Sequence, residues 1–308
     1  MQEKIIPLVV DKNDDNGNYV SSSEAKLFVN APNAIDGNIV SKCDTASAQF
    51  QAENGHVDFV GTEEDIFAQM RALVAVLPSN NEDNDSHEEC TDDLNRACTD
   101  IVNCVGDTSI ALSTIADNNI FFEVKEGYAK DMVTGFIKLN GITVGCVANR
   151  TEVYNAEGEV EEKFDAVLSV RGCEKAAEFI NFCDAFGIPV LSLTNVKGYK
   201  ATMCSERNIA RAVAKLTYAF ANATVPKVNV VIGKAYGSAY VAMNSKAIGA
   251  DITIAWPDAE IGSMDATLAA KIMYEGQGAD VIKEKAAEYA ALQTSATGAA
   301  KRGYVDQI

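Results

Sequence analysis

A junction between a predicted strand and a predicted helix carries the residues most suited to chemistry in this chain. The apolar, β-branched run at residues 228–232 predicts a buried strand that ends at Gly233. Small residues at 237–239 follow, and a helical pattern begins at Tyr240. The first N–H groups of a helix lack acceptors within it, and with the helix dipole they suit a developing oxyanion or enolate. Spacing alone supports equally well a tight crossover that needs small residues for close packing.

The residue types present support neither a metal centre nor a histidine-assisted nucleophile. The 8 cysteines include no C-x-x-C pair, and the chain has only 2 histidines, His56 and His87. We therefore expect no metal site and no serine or cysteine nucleophile paired with histidine. Cys146, Cys173 and Cys183 lie in apolar segments and are predicted to be core thiols of a reducing compartment. Catalysis would depend on backbone donors, on a cofactor, or on both.

Composition and charge limit the class of protein. With 26 basic and 44 acidic residues, the net charge of −18 opposes nonspecific binding to nucleic acid or anionic membranes. Lys197, Lys200 and Lys234 could still form a local positive pocket, although a solvated surface position is the simpler interpretation of each one. No apolar segment approaches the roughly 18 residues of a membrane span, and the N-terminus lacks a signal-peptide pattern. We expect cytoplasmic residence without membrane insertion.

Strands alternating with helices predict an α/β fold with a mostly parallel sheet. Strands are predicted at residues 27–30, 121–124, 188–196, 225–233 and 250–256, with a hairpin over 135–149 that turns at Asn140–Gly141. Helices are predicted at residues 63–77 after a Thr62 cap, near 94–115, at 173–187, at 205–223 and around 239–246. Residues 11–24 are predicted to be a loop, and residues 152–166 a polar excursion.

Two of the predicted strands end in loops that could offer hydrogen-bond donors. These loops are NVKGY at residues 195–199 and AYGSAY at residues 235–240. Ligands of such folds bind at the carboxyl ends of parallel strands. If the two strands are neighbours, the loops would form a two-sided oxyanion hole. The alternative is a pair of ordinary glycine turns.

Several blocks of this sequence resemble, in order, the biotin-dependent acyl-CoA carboxyltransferases. The family includes the β subunits of propionyl-CoA carboxylase and related decarboxylase subunits. The similar blocks are GFIKLNGITVGCVAN, KAAEFINFCDAFGIPVLSLTNVKGY, residues 218–264 and AAKRGYVDQI. The resemblance implies an α/β fold of the crotonase-like (ClpP/crotonase) type, a βαβ spiral with a mostly parallel sheet and flanking helices.

The resemblance also implies a division of the chain. In the family, an N-terminal crotonase-like domain binds acyl-CoA and a C-terminal one binds carboxybiotin. Residues 1–85 resemble a remnant of the N-terminal domain, residues 86–95 an acidic linker, and residues 96–308 the C-terminal domain. The acyl-CoA oxyanion hole of the family has no counterpart in this sequence. We therefore expect an oligomer that works with a biotin carboxyl carrier protein and with an acyl-CoA-binding half or a second copy of the chain.

Site residues follow from the resemblance position by position. The loop at Gly237 matches a glycine-rich turn whose amides polarise the biotin ureido carbonyl, which assigns catalytic donors to the N–H groups of Ser238 and Ala239. Ser238 stands where glycine is usual but keeps its N–H. The positions implied to bind biotin are Gly198, Tyr199, Tyr236, Tyr240 and Met264.

Three departures from the family pattern accompany these matches. V-K-G-Y at residues 196–199 replaces V-P-G-F, so that Lys197 stands for proline. Val241 occupies a position where an acidic residue tied to the choice of acyl group is common, which leaves the acyl-CoA unassigned. M-D-A-T-L-A-A replaces the usual M-G-P-E-G-A after Met264.

The reaction implied by the resemblance moves a carboxyl group between protein-linked biotin and the α-carbon of an acyl-CoA. Release of CO2 from carboxybiotin would leave negative charge for the Ser238 and Ala239 amides to stabilise. The resulting anion would take the α-proton of the acyl-CoA, so no side-chain base is required. A subunit of a biotin-dependent decarboxylase, including one coupled to a sodium pump, and a truncated non-catalytic assembly subunit stay open as alternatives. A hydratase or isomerase is disfavoured because no carboxylate pair flanks Gly237.

Overall fold

A mixed β-sheet forms the centre of this computed structural model, which describes residues 47–82, 89–99, 101–155 and 157–308. The predicted loop at 11–24 and strand at 27–30 lie outside the described residues. The described strands are β1 Phe121–Glu123, β2 Met132–Leu139, β3 Ile142–Asn149, β4 Glu152–Tyr154, β5 Val160–Lys163, β6 Val190–Val196, β7 Lys227–Tyr236, β8 Ile252–Ala255 and β9 Glu260–Gly262.

The strand order places the two donor-bearing loops side by side. The seven-stranded sheet of the described residues runs β1-β2-β3-β6-β7-β8, and β9 also pairs with β7. Pairing is antiparallel from β1 to β3 and parallel from β3 through β6 and β7 to β8 and β9. The expected mostly parallel α/β sheet is confirmed. Because β6 and β7 are parallel neighbours, the loops that follow them emerge at the same edge.

Helices flank the sheet on both sides. They are α1 Ala48–Glu53, α2 Glu63–Val76, α3 Thr108–Ile115, α4 Val170–Ala185, α5 Met203–Asn222, α6 Gly237–Ala242, α7 Ala266–Met273, α8 Ala279–Tyr289 and α9 Ala296–Lys301. Shorter helical turns lie at Ile101–Cys104, Asp117–Asn119, Lys246–Ile248 and Ala290–Thr294. The Thr62 cap of α2 is confirmed, since its hydroxyl accepts from Asp65 N in a capping box.

The predicted hairpin is also confirmed. Strands β2 and β3 meet at Asn140 and Gly141, whose φ angles of 53° and 75° are those of a turn with two left-handed residues. The Asp117 carboxylate accepts from the N–H groups of both residues, at 3.0 and 2.7 Å. The turn is therefore fixed by its own residue types and by a carboxylate from outside the hairpin.

Some element boundaries differ from the expectations. The helix predicted near 94–115 is confined to α3, where Asp107 caps the first turn. The polar excursion at 152–166 contains the small β4–β5 hairpin, whose β5 residues are all exposed. Helices α4 and α5 begin before the predicted residues 173 and 205, because Ser169 and Thr202 cap them. A capping residue fixes the position at which a helix starts, whereas apolar periodicity alone defines that position only to within several residues.

The largest core lies between the sheet and helices α4 and α5. Phe136, Ile180, Leu216 and Phe220 are each at most 2% exposed there. Cys146, Cys173 and Cys183 are fully buried free thiols, as predicted. Helix α2 packs on the same core through Leu73. The described part of residues 1–85 therefore shares the core of residues 96–308, and the proposed division of the chain stays a prediction.

Candidate functional site

The site begins at the junction between β7 and α6. Strand β7 pairs with β8 along residues 228–231 and then with β9 along residues 234–236. The second partner keeps the backbone extended to Tyr236, so the predicted strand end at Gly233 was wrong. Helix α6 starts at Gly237 rather than near Tyr240, and it ends at Ala242 rather than near residue 246.

Gly237 has a conformation that explains its residue type. Its φ of +58° lies in the left-handed region, which glycine adopts at little cost. A Cβ at this position would lie 3.1 Å from the carbonyl oxygen of Ser263. The chain thus turns from strand to helix within one residue, against the segment that follows β9. A side chain at position 237 would strain the backbone and press on the opposite wall.

A cleft of about 460 Å³ opens at this junction. Its walls come from the loop after β6, the end of β7, the first turn of α6 and residues 263–268. The structure brings together seven of the nine residues predicted for the site, namely Gly198, Tyr199, Tyr236, Gly237, Ser238, Ala239 and Met264. Two of the three lysines considered for a positive pocket, Lys197 and Lys234, also line it, whereas Lys200 lies elsewhere.

The first turn of α6 leaves backbone donors available to the cleft. An N-cap side chain usually accepts a hydrogen bond from the second or third residue of a helix. Tyr236 precedes α6 and makes no such bond. The N–H groups of Ser238 and Ala239 lie in the first turn, where a helix offers them no acceptor. They can therefore donate to an oxygen atom of a bound ligand.

The opposite wall is held in place by backbone hydrogen bonds. Lys197 N donates to Ala166 O at 2.8 Å, and Lys200 N donates to Leu168 O at 2.9 Å. Leu168 N donates in return to Gly198 O, also at 2.9 Å. These contacts order the loop on both sides of Gly198. Across the cleft, the Tyr199 hydroxyl donates to Ser238 Oγ at 2.9 Å.

Tyr236 forms the buried back of the cleft. Its hydroxyl donates to a carboxylate oxygen of Glu260 on β9, and the side chain is almost inaccessible. Burial, reinforced by the Glu260 carboxylate, raises the pKa of Tyr236 well above its usual value. Lys234 Nζ lies 5.8 Å from the centroid of the same ring. The Tyr236 hydroxyl therefore stays protonated and paired, and only its ring can face a ligand.

Two predicted site residues lie outside the cleft lining. Tyr240 is in the core, 8% exposed, and among the described residues its hydroxyl has no hydrogen-bond partner. Burial raises the pKa of Tyr240 to about 12. Val241 is 37% exposed on α6 and does not line the cleft. Tyr240 follows Ser238 by two residues, so the two side chains face different sides of α6. Val241 follows Ser238 by three residues and lies one helical turn further along α6, beyond the cleft lining.

Three further residues line the cleft and were not predicted from the sequence, namely Ser263, Asp265 and Leu268. Asp265 caps α7 by accepting from Thr267 N and Leu268 N at 3.0 and 3.1 Å. An aspartate just before an apolar helical pattern is a recognisable signal for a helix start. This signal does not predict that Asp265 lines the cleft, because the position of α7 relative to the cleft depends on where β9 places the helix.

Neither a metal centre nor a membrane-spanning helix occurs in the described part of the chain. Within residues 47–82, 89–99, 101–155 and 157–308, no group of three or more histidine, cysteine, aspartate or glutamate side chains could hold a metal ion. In the same ranges, no helix combines the length and apolar character needed to cross a membrane.

Comparison with protein families and known proteins gives consistent matches. A family model described as the carboxyl transferase domain matches residues 24–308. The putative propionyl-CoA carboxylase beta chain of Bacillus subtilis (strain 168) is 36% identical over 305 residues, covering 94% of this chain and 58% of the relative. The methylmalonyl-CoA carboxyltransferase 12S subunit of Propionibacterium freudenreichii subsp. shermanii is 35% identical over 307 residues, covering 94% and 57%. The chain thus spans somewhat more than half the length of these relatives.

The solved structures support the same relationship. Transcarboxylase 12S, a hexamer assembly with hydrolysed methylmalonyl-coenzyme A bound, superposes with a TM-score of 0.82 at 35% identity. The match covers 92% of this chain and 56% of that one. The expected crotonase-like fold is therefore confirmed. The methylmalonyl-CoA decarboxylase subunit alpha of Propionigenium modestum is 35% identical over 253 residues, covering 78% of this chain and 47% of the relative.

Proposed function

The chain belongs to the biotin-dependent acyl-CoA carboxyltransferase family, and we propose that it is the biotin side of such an enzyme. In this proposal, the chain helps to move a carboxyl group between carrier-linked biotin and an acyl-CoA. The observation that carries the proposal is the uncapped first turn of α6, whose Ser238 and Ala239 amides line a cleft opposite Gly198 and Tyr199.

The cleft suits the bicyclic head of biotin in size and in chemistry. Its walls combine the apolar surfaces of Met264 and Leu268 with the free amides of α6. Apolar walls with a few placed donors are usual for small-molecule sites. Biotin would supply the ureido nitrogen that carries the transferred carboxyl group.

Each protein group has a limited task in this mechanism. The Ser238 and Ala239 amides stabilise negative charge on the ureido oxygen, because they are already oriented and cost no reorganisation. The ring of Tyr236 and the side chain of Met264 exclude water behind the bound head group. Lys197 and Lys234 add positive charge at a cleft of an otherwise acidic protein, which favours an anionic carboxylated ligand. No protein base is needed at this half of the reaction.

The proposal includes a partner that supplies the acyl-CoA side. Helix α7 borders the cleft and exposes Leu268 and Ile272 by 50% and 61%. These residues are one helical turn apart on the same face, so they form a continuous apolar surface. We propose that an acyl-CoA-binding half or a second copy of the chain covers it, in an oligomer served by a biotin carboxyl carrier protein. The prediction that residues 1–85 derive from the acyl-CoA domain belongs to the same proposal.

Cytoplasmic residence is also part of the proposal. The seven cysteines of the described residues are free, and three of them are fully buried as thiols. Free thiols in this number are typical of a reducing compartment.

The deciding experiment is carboxyl transfer from methylmalonyl-CoA to free biotin, with and without an acyl-CoA-binding carboxyltransferase half. Transfer only in the presence of the partner would support a biotin-side component. Transfer by the chain alone would contradict the need for a partner. No transfer in either case, together with no detectable biotin binding, would favour the alternative of a non-catalytic assembly subunit.

A further inference from the structure

The contact between Tyr199 and Ser238 joins two loops that are 39 residues apart in the sequence. The Tyr199 hydroxyl donates its hydrogen to Ser238 Oγ at 2.9 Å. A serine hydroxyl has one hydrogen of its own to donate, whichever donor it accepts from. Among the described residues, Ser238 Oγ makes no other hydrogen bond. The Ser238 hydroxyl hydrogen is therefore left for a group within the cleft.

The position of the two side chains places that hydrogen within reach of a ligand in the cleft. Both residues line the cleft, and Ser238 is exposed in it. Tyr199 is partly buried against the main core, and a backbone bridge to Leu168 holds it from the other side. A fixed tyrosine restricts the rotation of the serine hydroxyl that it binds. Donation by Tyr199 also polarises the Ser238 O–H group, which strengthens it as a donor.

The two hydroxyls come from loops that follow the neighbouring strands β6 and β7, and the structure joins them in one hydrogen bond. Each hydroxyl therefore has a partner in the cleft wall. The pair therefore adds a side-chain donor to a wall that otherwise offers backbone amides only.

We infer that the Ser238 hydroxyl is a third donor to the ligand oxygen bound by the Ser238 and Ala239 amides, and that Tyr199 is its positioning residue. The ligand class is a compound with a ureido or carboxylate oxygen that gains negative charge during the reaction. This inference rests on the proposed function. It adds that side-chain hydroxyls, and not backbone amides alone, stabilise the charge in this protein.

The test uses the full chain with its acyl-CoA-binding partner and free biotin as the probe. The informative variants are Ser238→Ala, Tyr199→Phe and the double variant. We expect each single variant to lower kcat for transfer to biotin about tenfold, with a smaller change in KM, because the donor acts mainly on developing charge. The double variant should be no slower than the slower single variant, since both remove one cooperative unit.

Two variants of similar size distinguish the effect of the Ser238 hydroxyl from the effect of side-chain bulk. Threonine and valine have nearly the same shape, so Ser238→Thr should keep most of the activity and Ser238→Val should lose it. Calorimetric binding of free biotin provides a readout besides turnover. We expect binding to be about two- to threefold weaker for Ser238→Val than for Ser238→Thr, a smaller change than that in kcat, because unreacted biotin carries no developed negative charge. Urea unfolding of every variant, with an unchanged midpoint, shows that the fold is intact.

The outcomes distinguish this inference from the function on which it rests. Normal transfer and binding in the parent, with no loss in Tyr199→Phe or Ser238→Val, would overturn the hydroxyl pair and leave the proposed function standing. Multiplicative losses in the double variant would overturn the positioning role of Tyr199. A parent that neither binds biotin nor transfers a carboxyl group with its partner would remove the proposed function and this inference together.

Discussion

Gly237 is the single residue on which the geometry of the proposed site depends most directly. Its positive φ makes the turn from β7 to α6, and this turn aims the first amides of the helix into the cleft. Ser238 and Tyr199 then add side-chain chemistry to that backbone arrangement. At Gly237 the residue type therefore acts through the backbone conformation that it allows, whereas at Ser238 and Tyr199 it acts through the side chain.

Replacement of Gly237 by valine should abolish carboxyl transfer without unfolding the protein. A β-branched residue at φ +58° costs about 1–3 kcal/mol, and its Cβ would also crowd the Ser263 carbonyl oxygen. That cost is a fraction of the roughly 5–15 kcal/mol that stabilises a typical domain. The measurement is transfer to biotin with the partner present, alongside urea unfolding.

Gly303→Val is the matched control for this variant. Gly303 has φ +79°, no atom lies within 4 Å of the point that a Cβ would occupy, and the residue does not line the cleft. It should carry the backbone strain without the loss of transfer. Equal activity of Gly237→Val and the parent would rule out the proposed site.

The buried residue Lys175 allows a prediction of how the free energy of unfolding depends on pH. The side chain is 2% exposed, and its ammonium group donates to Tyr128 O at 2.8 Å. Burial, partly offset by the nearby Glu123, lowers the pKa of Lys175 to about 7. The unfolded chain then binds more protons than the folded one from about pH 7 up to the ordinary lysine pKa. The contribution of Lys175 to the free energy of unfolding therefore rises with pH across this range.

The variant Lys175→Met should remove that pH dependence. We expect the free energy of unfolding of the parent, relative to the variant, to increase by about 1 kcal/mol between pH 7 and pH 8. Urea unfolding at both values measures the difference, and the comparison cancels the contribution of other titrating groups. A difference that stays constant or falls with pH would contradict a depressed lysine pKa.

At the scale of secondary-structure elements, the correct predictions are local ones, whereas the Ser169 and Thr202 caps of α4 and α5 were not predicted. The Thr62 cap, the Asn140–Gly141 turn and the amphipathic helices were predicted because each depends on neighbours within a few residues. The end of β7 was not predicted, because the pairing with β9 that extends it involves residues about 26 positions later. Element ends that rest on distant partners are therefore the ones that local patterns place wrongly.

The cap of α7, which borders the cleft, leads to a prediction about the stability of the protein. Asp265→Ala should lower the free energy of unfolding by about 1 kcal/mol, since the carboxylate accepts two N–H groups of the first turn. Asp265→Asn keeps the acceptor and should differ from the parent by only a few tenths of a kcal/mol. Urea unfolding measures both variants, and equal losses would show that charge, not capping, is what matters.

At the scale of the whole molecule, the proposed reaction would require two anion sites, of which the cleft would supply one. The exposed face of α7 is where a second component would complete it. Substitution Ile272→Glu should weaken association with the partner or with a second copy at least tenfold, because a charge would be buried in an apolar contact. Sedimentation of the chain, alone and with the partner, measures the effect.

Val74→Glu is the control for this prediction. Val74 is 72% exposed on α2, which packs near β2 at the other end of the sheet. Its substitution should leave sedimentation unchanged. If both variants associate as the parent does, the α7 face is not the contact surface.

The sequence by itself determined the α/β class, the Thr62 cap and the Asn140–Gly141 turn, and it named seven of the residues that line the cleft. Helical and strand periodicity and turn chemistry act over a few positions, and the resemblance placed Gly237, Ser238 and Tyr199 in one site. Only the tertiary structure decided that the Tyr199 and Ser238 hydroxyls meet, that Tyr236 is held by Glu260, and that Tyr240 belongs to the core. Each of these depends on strand order and register, which bring together side chains from segments far apart in the chain.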